Sequence, residues 1–93
     1  MSIIGPQTAT LANITSSASN VTILAAGAHA GGRAVFNDST AVLYLKFGAT
    51  ASATSYTVQL AAGAYYEFPQ PVYSGQVDGI WAAANGFARV TGW

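Results

Sequence analysis

The stretch that decides the fold is Arg33 to Phe47, RAVFNDSTAVLYLKF. Its second half, Ala41 to Phe47, is the longest nearly unbroken run of strand-forming apolar residues in the chain. Because side chains alternate along a strand, Leu43 and Leu45 share one face, and that face must enter a core. The opposite face is mixed, since it carries Tyr44 and one lysine, and we expect it to meet a second protein surface or the edge of the core.

Between its two apolar halves this stretch has the residues of a turn. Asn and Asp in Asn37-Asp38-Ser39-Thr40 tolerate left-handed backbone angles and can bond their own main chain. We therefore expect residues 33–38 and 41–47 to pair as a β-hairpin.

The rest of the chain predicts further short strands. Strands are expected over residues 8–15, 21–24, 56–60, 65–68, 76–82 and 87–92. Asn85-Gly86 is a strong two-residue hairpin signal between the last two of them. About eight short strands with no helical period predict an all-β protein, an antiparallel sandwich or small barrel that is jelly-roll-like or Ig-like. We expect one such domain over residues 8–93.

The composition is typical of a protein that is covered by a partner. Hydrophobic residues make up 52% of the chain and charged residues only 6%, against about 25% charged in an average soluble domain. Three cationic and three anionic residues cancel, so net charge contributes little to solubility. A surface of small, neutral residues suits packing against copies of the chain or a larger scaffold. The alternative is a neutral, polar monomer.

The charge pattern also limits the classes of partner. Without a basic excess, we expect no nucleic-acid partner. No apolar run approaches the roughly 20 residues that span a bilayer, so no membrane partner is expected. Residues 1–17 lack a positive region ahead of an apolar one, which predicts no secretory signal and synthesis in the cytoplasm.

No constellation of reactive residues is visible, so we expect a non-enzymatic protein with no cofactor and no metal. The three carboxylates, Asp38, Glu67 and Asp78, have no spacing that would bring together an acid–base pair. One histidine, His29, and no cysteine are too few for a metal site or a nucleophilic triad.

Aromatic side chains are the strongest candidates for a binding surface, because exposed Tyr and Trp are enriched at protein interfaces and at sugar-stacking platforms. By alternation, five aromatic residues should face the core: Phe36, Phe47, Tyr56, Tyr66 and Phe68. The candidate interface residues are those that fall off these phases or could lie in either place: Tyr44, Tyr65, Tyr73, Trp81 and Trp93.

Residues 1–7 predict an extended N-terminal arm. Two adjacent β-branched residues, Ile3 and Ile4, are followed by the breaker pair Gly5-Pro6, which favours an apolar arm over a strand. Such an arm can lie on a neighbouring subunit, which adds Ile3, Ile4 and Pro6 to the candidate interface. The commoner fate of a chain end is fraying.

Three segments, NDSTAVLYL at 37–45, GAYYE at 63–67 and GIWAAANG at 79–86, carry a resemblance that extends over residues 21–91. The chain resembles the small β-rich structural proteins of tailed-bacteriophage virions, which include capsid decoration, or cement, proteins. This resemblance implies a homo-oligomer, a trimer slightly favoured over a dimer, seated on the outer surface of the major capsid protein lattice. It implies a virion component made in the host cytoplasm, and it transfers no binding residues.

Two functions follow as hypotheses. The first is a decoration protein that stabilises the phage head. The second is a module of the tail or head surface that binds a host glycan or receptor through Tyr65, Tyr73, Trp81 or Trp93.

Overall fold

The computed structural model describes residues 5–27 and 31–93 and shows eight strands. They are β1 Thr10–Thr15, β2 Val21–Leu24, β3 Arg33–Asp38, β4 Leu43–Phe47, β5 Val58–Leu60, β6 Tyr65–Glu67, β7 Val77–Trp81 and β8 Phe87–Gly92. No helix in this part of the chain is long and apolar enough to cross a membrane. Ile3, Ile4 and His29 lie outside the described residues.

The strands form two four-stranded sheets that pack as a sandwich. The first sheet has the order β1-β8-β3-β6, and the second has the order β2-β7-β4-β5. Strands from the two halves of the chain pair in nested antiparallel order, β1 with β8, β2 with β7, β3 with β6 and β4 with β5. Such nesting results when one long hairpin is rolled up, which is the jelly-roll arrangement. The predicted sandwich is therefore confirmed, and its strand order is that of the jelly roll.

Residues 33–47 do not form a hairpin, so that prediction is wrong. β3 lies in the first sheet and β4 in the second, and the turn between them crosses from one sheet to the other. The physical reason is Asn37, which is a buried residue of β3 and not part of an exposed turn. Its Nδ2 donates to the carbonyl oxygens of Ala41, Leu60 and Ala61. These bonds join the end of β3 to the second sheet.

Asn85-Gly86 is not a hairpin turn either, because it connects β7 in the second sheet to β8 in the first. Asn85 Oδ1 accepts the N–H of Thr40 at 3.1 Å, and the N–H of Gly86 donates to Ser16 Oγ at 2.8 Å. A Cβ on Gly86 would collide with the backbone of Asp38. Glycine is thus required here for the close approach of two connections between the sheets.

The core lies between the inner faces of the two sheets and follows the predicted alternation in β4. Leu43, Leu45 and Val77 are fully buried. Trp81 is 2% exposed, and its Nε1 donates to Asn37 Oδ1 at 3.1 Å. The prediction of Trp81 as an interface residue is therefore wrong, because the inner phase of β7 places it in the core.

The aromatic residues expected in the core are only partly found there. Phe68 is buried, and two more pack against the core: Phe47 and Tyr66. Phe36 and Tyr56 are exposed, so these two predictions are wrong. Phe36 takes the outer phase of β3 because Val35 and Asn37 take the inner one. Tyr56 precedes β5, so strand alternation does not govern its direction.

The outer face of the second sheet is partly covered by the chain's own β4–β5 connection, residues 48–57, although Thr22 and Gln59 on that face are exposed. The ring centroids of Tyr44 and Tyr56 are 5.1 Å apart, and Lys46 Nζ donates to Ser55 Oγ at 2.8 Å. The mixed face of β4, which we expected to meet a second protein surface or the edge of the core, therefore contacts this connection.

Asp78 is the carboxylate that ties this connection to β7. It is buried and accepts hydrogen bonds from Thr50 N at 2.8 Å, Asn20 Nδ2 at 2.9 Å and Gln76 Nε2 at 2.8 Å. Burial by itself raises the pKa of Asp78, but these bonds and one from Thr22 outweigh it and hold the pKa below its ordinary value. The charged carboxylate is thus an acceptor that stabilises the fold.

Arg33 is a buried cation that joins the β6–β7 connection to the end of β2. Its Nη1 donates to the carbonyl oxygens of Tyr73 at 3.0 Å and Gly75 at 2.7 Å. Its Nη2 donates to those of Ala25 at 2.8 Å and Ser74 at 3.4 Å. Burial lowers the pKa of Arg33, although Tyr73 opposes the shift.

Candidate interaction surface

The outer face of the first sheet carries four exposed large apolar side chains, one from each of its strands. Leu11 on β1 is 74% exposed, Phe87 on β8 38%, Phe36 on β3 36% and Tyr65 on β6 60%. Soluble monomers rarely expose contiguous apolar patches of this kind, and such patches mark interaction sites. We call these four residues, together with Arg89, the aromatic face.

The strand register brings these residues into neighbouring rows. Asn13 lies opposite Arg89, Arg89 opposite Phe36, and Phe36 opposite Tyr65. This row crosses all four strands, a width of about 14 Å at the usual strand spacing. Phe87 lies in the next outer row, two residues along β8, so Phe87, Arg89, Phe36 and Tyr65 form a continuous patch. Leu11 lies in the row on the other side, opposite Thr91, and extends the face towards the edge of the sheet.

Arg89 is held flat on this face by two contacts. Its Nε donates to Asp38 Oδ2 at 2.9 Å, and its Cζ lies 4.6 Å from the ring centroid of Phe87. Both partners of the ion pair are about half exposed, so the pair adds little stability and chiefly fixes the side chain. Within the described residues its side-chain hydrogen bonding is confined to Nε, which leaves the terminal amino groups for a partner. Arginine and aromatic residues dominate the energetic centres of protein interfaces.

Tyr65 is the one predicted interface residue that lies on the aromatic face. Tyr44 is half-buried beneath Tyr56. Tyr73 stacks on Phe47 with 4.7 Å between ring centroids and 6° between planes, and its hydroxyl is bonded within its own loop. Both are therefore engaged within the fold.

Pro6 and Trp93 lie together beyond the end of β8. The main chain of Trp93 exchanges two N–H···O bonds of 3.0 Å with Gly32, and a Cβ on Gly32 would collide with the indole ring. Residues 5–9 and Trp93 line an open groove of about 550 Å³. None of the lining side chains is titratable, so the groove offers packing contacts but no acid–base chemistry.

Sequence reasoning missed most of the aromatic face: Leu11, Phe36, Phe87 and Arg89. A signal was present in β8, because the small apolar residues Ala88 and Val90 alternate with Phe87 and Arg89, which predicts the latter pair on the outside. The meeting of four strands' outer residues on one surface depends on sheet order, and no local pattern encodes that order.

The described residues bring no two carboxylates together. Asp38 and Glu67 both lie on the outer side of the first sheet, but Glu67 pairs with Ala34, four residues from Asp38. Four residues of strand span about 14 Å, whereas paired catalytic carboxylates lie roughly 5–9.5 Å apart. Asp78 lies on the other sheet. Residues 5–27 and 31–93 contain no group of three His, Cys, Asp or Glu that could hold a metal ion.

No protein-family model, curated protein or solved structure matches this chain. Its function is therefore inferred from the geometry of the aromatic face and from the sequence.

Proposed function

We propose that this chain is a non-enzymatic structural subunit, held in a larger protein assembly by its aromatic face. The observation that carries the proposal is that each strand of the first sheet presents one large apolar side chain to the outside. Aromatic residues and arginine with few other charges are typical of the centre of a protein interface. The 6% charged fraction of the chain fits the same role.

We further propose that the assembly is the head of a tailed phage and that the chain is a capsid decoration protein on the outer surface of the major capsid protein lattice. The resemblance of residues 21–91 to small β-rich virion proteins supports this location. Modest apolar contacts, repeated by many copies on a lattice, add avidity without any single strong site. The predicted arm, with Ile3 and Ile4, would extend each contact.

The test is binding to purified heads that lack the chain. A Tyr65→Ser, Phe87→Ser double variant should bind at least about 30-fold more weakly, because a single hot-spot residue contributes about 2 kcal/mol. Both residues are exposed, so the variant should keep its fold. Occupancy is measured by sedimenting the heads and quantifying the bound chain.

Tyr56→Ser is the matched control, since Tyr56 is an exposed aromatic residue on the β4–β5 connection, which packs on the other sheet. It should bind as the unaltered chain does. Full occupancy by the double variant would overturn the role of the aromatic face. Failure of the unaltered chain to bind heads would overturn the capsid location.

A second candidate function, glycan binding, is favoured by the polar groups that border the aromatic rings. Arg89 lies opposite Phe36, Asp38 is two residues along the same strand, and Asn13 lies beyond Arg89 in the same row. Sugars stack on aromatic rings and bind such polar groups through their hydroxyls. A glycan array probed with the chain and with Tyr65→Ala separates the two functions. Glycan signal that disappears in the variant would favour this candidate, and background signal with both proteins would remove it.

A further inference from the structure

β1 is an edge strand that its own domain leaves uncovered. Among residues 5–27 and 31–93 it pairs with β8 alone, and five of its six residues are exposed, including the inner-facing Ala12. Ile14, the next inner-facing residue, is half-buried. β1 therefore extends past the second sheet, with both faces and one edge open.

The free edge of β1 presents regularly spaced main-chain donors and acceptors. Ser16, in register just beyond β1, donates its N–H to Gly86 O at 2.9 Å, so this residue points toward β8. Because main-chain groups alternate in direction along an antiparallel strand, Leu11, Asn13 and Thr15 direct their N–H and C=O groups to the free edge. Three residues thus offer six unpaired hydrogen-bonding groups in a row.

The other edge strands carry features that discourage pairing. β6 has three residues, contains Glu67 and is soon followed by Pro69. β5 also has three residues, and β2 is interrupted by a register shift between Thr22 and Leu24. Shortness, charge, proline and bulges are the usual protections of a sheet edge. β1 has none of them, and no Asp, Glu, Lys or Arg precedes Arg33 in the sequence.

We infer that the free edge of β1 pairs with β1 of a second copy, in antiparallel register about a two-fold axis through Asn13. Leu11 then lies opposite Thr15 of the other copy, and all six main-chain groups of the edge are bonded. On the inner side, Ala12 meets Ile14 of the other copy, so the apolar side chains that β1 leaves uncovered contact one another. The alternative is a ring of copies in which β1 of each copy pairs with β6, the other edge of the first sheet, of the next copy. This pairing is disfavoured, because β6 is half the length of β1.

Charge does not oppose this pairing. The nearest charged side chain is Arg89, in the same row as Asn13 but one strand further in. In the dimer the strand order is β8, β1, then β1 and β8 of the second copy. The two copies of Arg89 are therefore three strand spacings, about 14 Å, apart. This exceeds the Debye length of about 8 Å at physiological ionic strength, so their repulsion is screened.

The pairing has a consequence for attachment. A two-fold axis perpendicular to the sheet keeps the outer faces on one side, so the dimer presents two aromatic faces to the same surface. Two sites on one rigid unit bind a lattice more tightly than either alone. The dimer itself does not depend on the proposed capsid location, and it can fail while that proposal stands.

Single-cysteine variants test the register directly, because the chain contains no cysteine. Asn13→Cys should form a disulfide-linked dimer under mild oxidation, since directly opposite residues lie about 5.5 Å apart between Cα atoms, within disulfide range. Leu11→Cys is the matched control on the same face of the same strand. Its two copies would be about 14 Å apart along the strand, so it should stay monomeric on a denaturing gel.

Sedimentation of the unmodified chain over a concentration series should show reversible dimerisation. Asn13→Lys should raise the dimer dissociation constant at least about tenfold by placing like charges opposite each other. Ala83→Lys, in the exposed β7–β8 connection, should leave it unchanged. A chain that is monomeric throughout would overturn the inference. Equal crosslinking of the two cysteine variants would overturn the register.

Discussion

Two buried polar residues, Asn37 and Arg33, do more for this fold than their sequence context indicates. Asn37 stands in a stretch that is typical of a turn, yet its amide bonds three carbonyl groups and accepts the indole N–H of Trp81. Arg33 stands at the start of a strand, where a charged residue usually faces water. Side-chain amide and guanidinium groups can donate to several main-chain carbonyl groups at once. Each of these residues therefore stabilises connecting segments that lie outside the hydrogen bonding between strands.

Arg33→Lys should lower the free energy of unfolding by about 2–3 kcal/mol. A lysine ammonium lacks the guanidinium fork, so it cannot reach the carbonyl groups of both Ala25 and Gly75, and at least one buried acceptor loses its partner. Urea unfolding measures the change.

The control for this substitution is Arg89→Lys, on the exposed aromatic face. It should change the free energy of unfolding by less than about 0.5 kcal/mol, because exposed ion pairs contribute little. Equal effects of the two substitutions would contradict a structural role for the buried guanidinium.

At the scale of elements, the connection at 48–57 is joined to the second sheet by a charged carboxylate. Because the pKa of Asp78 is lowered in the folded chain, the charged form stabilises the fold above the ordinary aspartate pKa, about 3.9. That contribution is lost as the pH falls through the lowered pKa of the folded state.

Asp78→Asn should therefore destabilise the chain by about 1–3 kcal/mol at pH 7, since the amide cannot accept from all the donors that now face the carboxylate. The difference in unfolding free energy between the two proteins should shrink as the pH is lowered below about 4. Urea titrations at a series of pH values measure it. A difference that stays constant with pH would show that the charge of Asp78 is not the stabilising feature.

The elements also show how far local patterns reach. Alternation predicted β8 to its bounds and the buried Leu43 and Leu45, because one solvated and one buried face leave a clear period of two. Both predicted hairpins are wrong, since whether neighbouring strands pair or cross between sheets depends on contacts with distant strands. Trp81, a candidate interface residue, shows the same limit. Whether a residue on β7 is buried depends on what covers that strand, and the local pattern does not give this.

The whole molecule combines a closed core with an unusually open exterior on one side. The second sheet is partly covered by the chain's own β4–β5 connection, whereas the described part of the chain leaves the aromatic face of the first sheet and the edge of β1 uncovered. With few charges to keep such a surface in solution, the chain is suited to an assembly in which that side is buried. The phage head remains a proposal that this asymmetry and the sequence resemblance support.

Hydroxyl-radical footprinting of the free chain and of the chain in purified virions tests this account most directly. Oxidation of Phe36, Tyr65 and Phe87 should fall severalfold on assembly, while oxidation of Tyr56, on the β4–β5 connection, stays unchanged. Equal labelling of the aromatic face in both states, or protection confined to Tyr56, would contradict it.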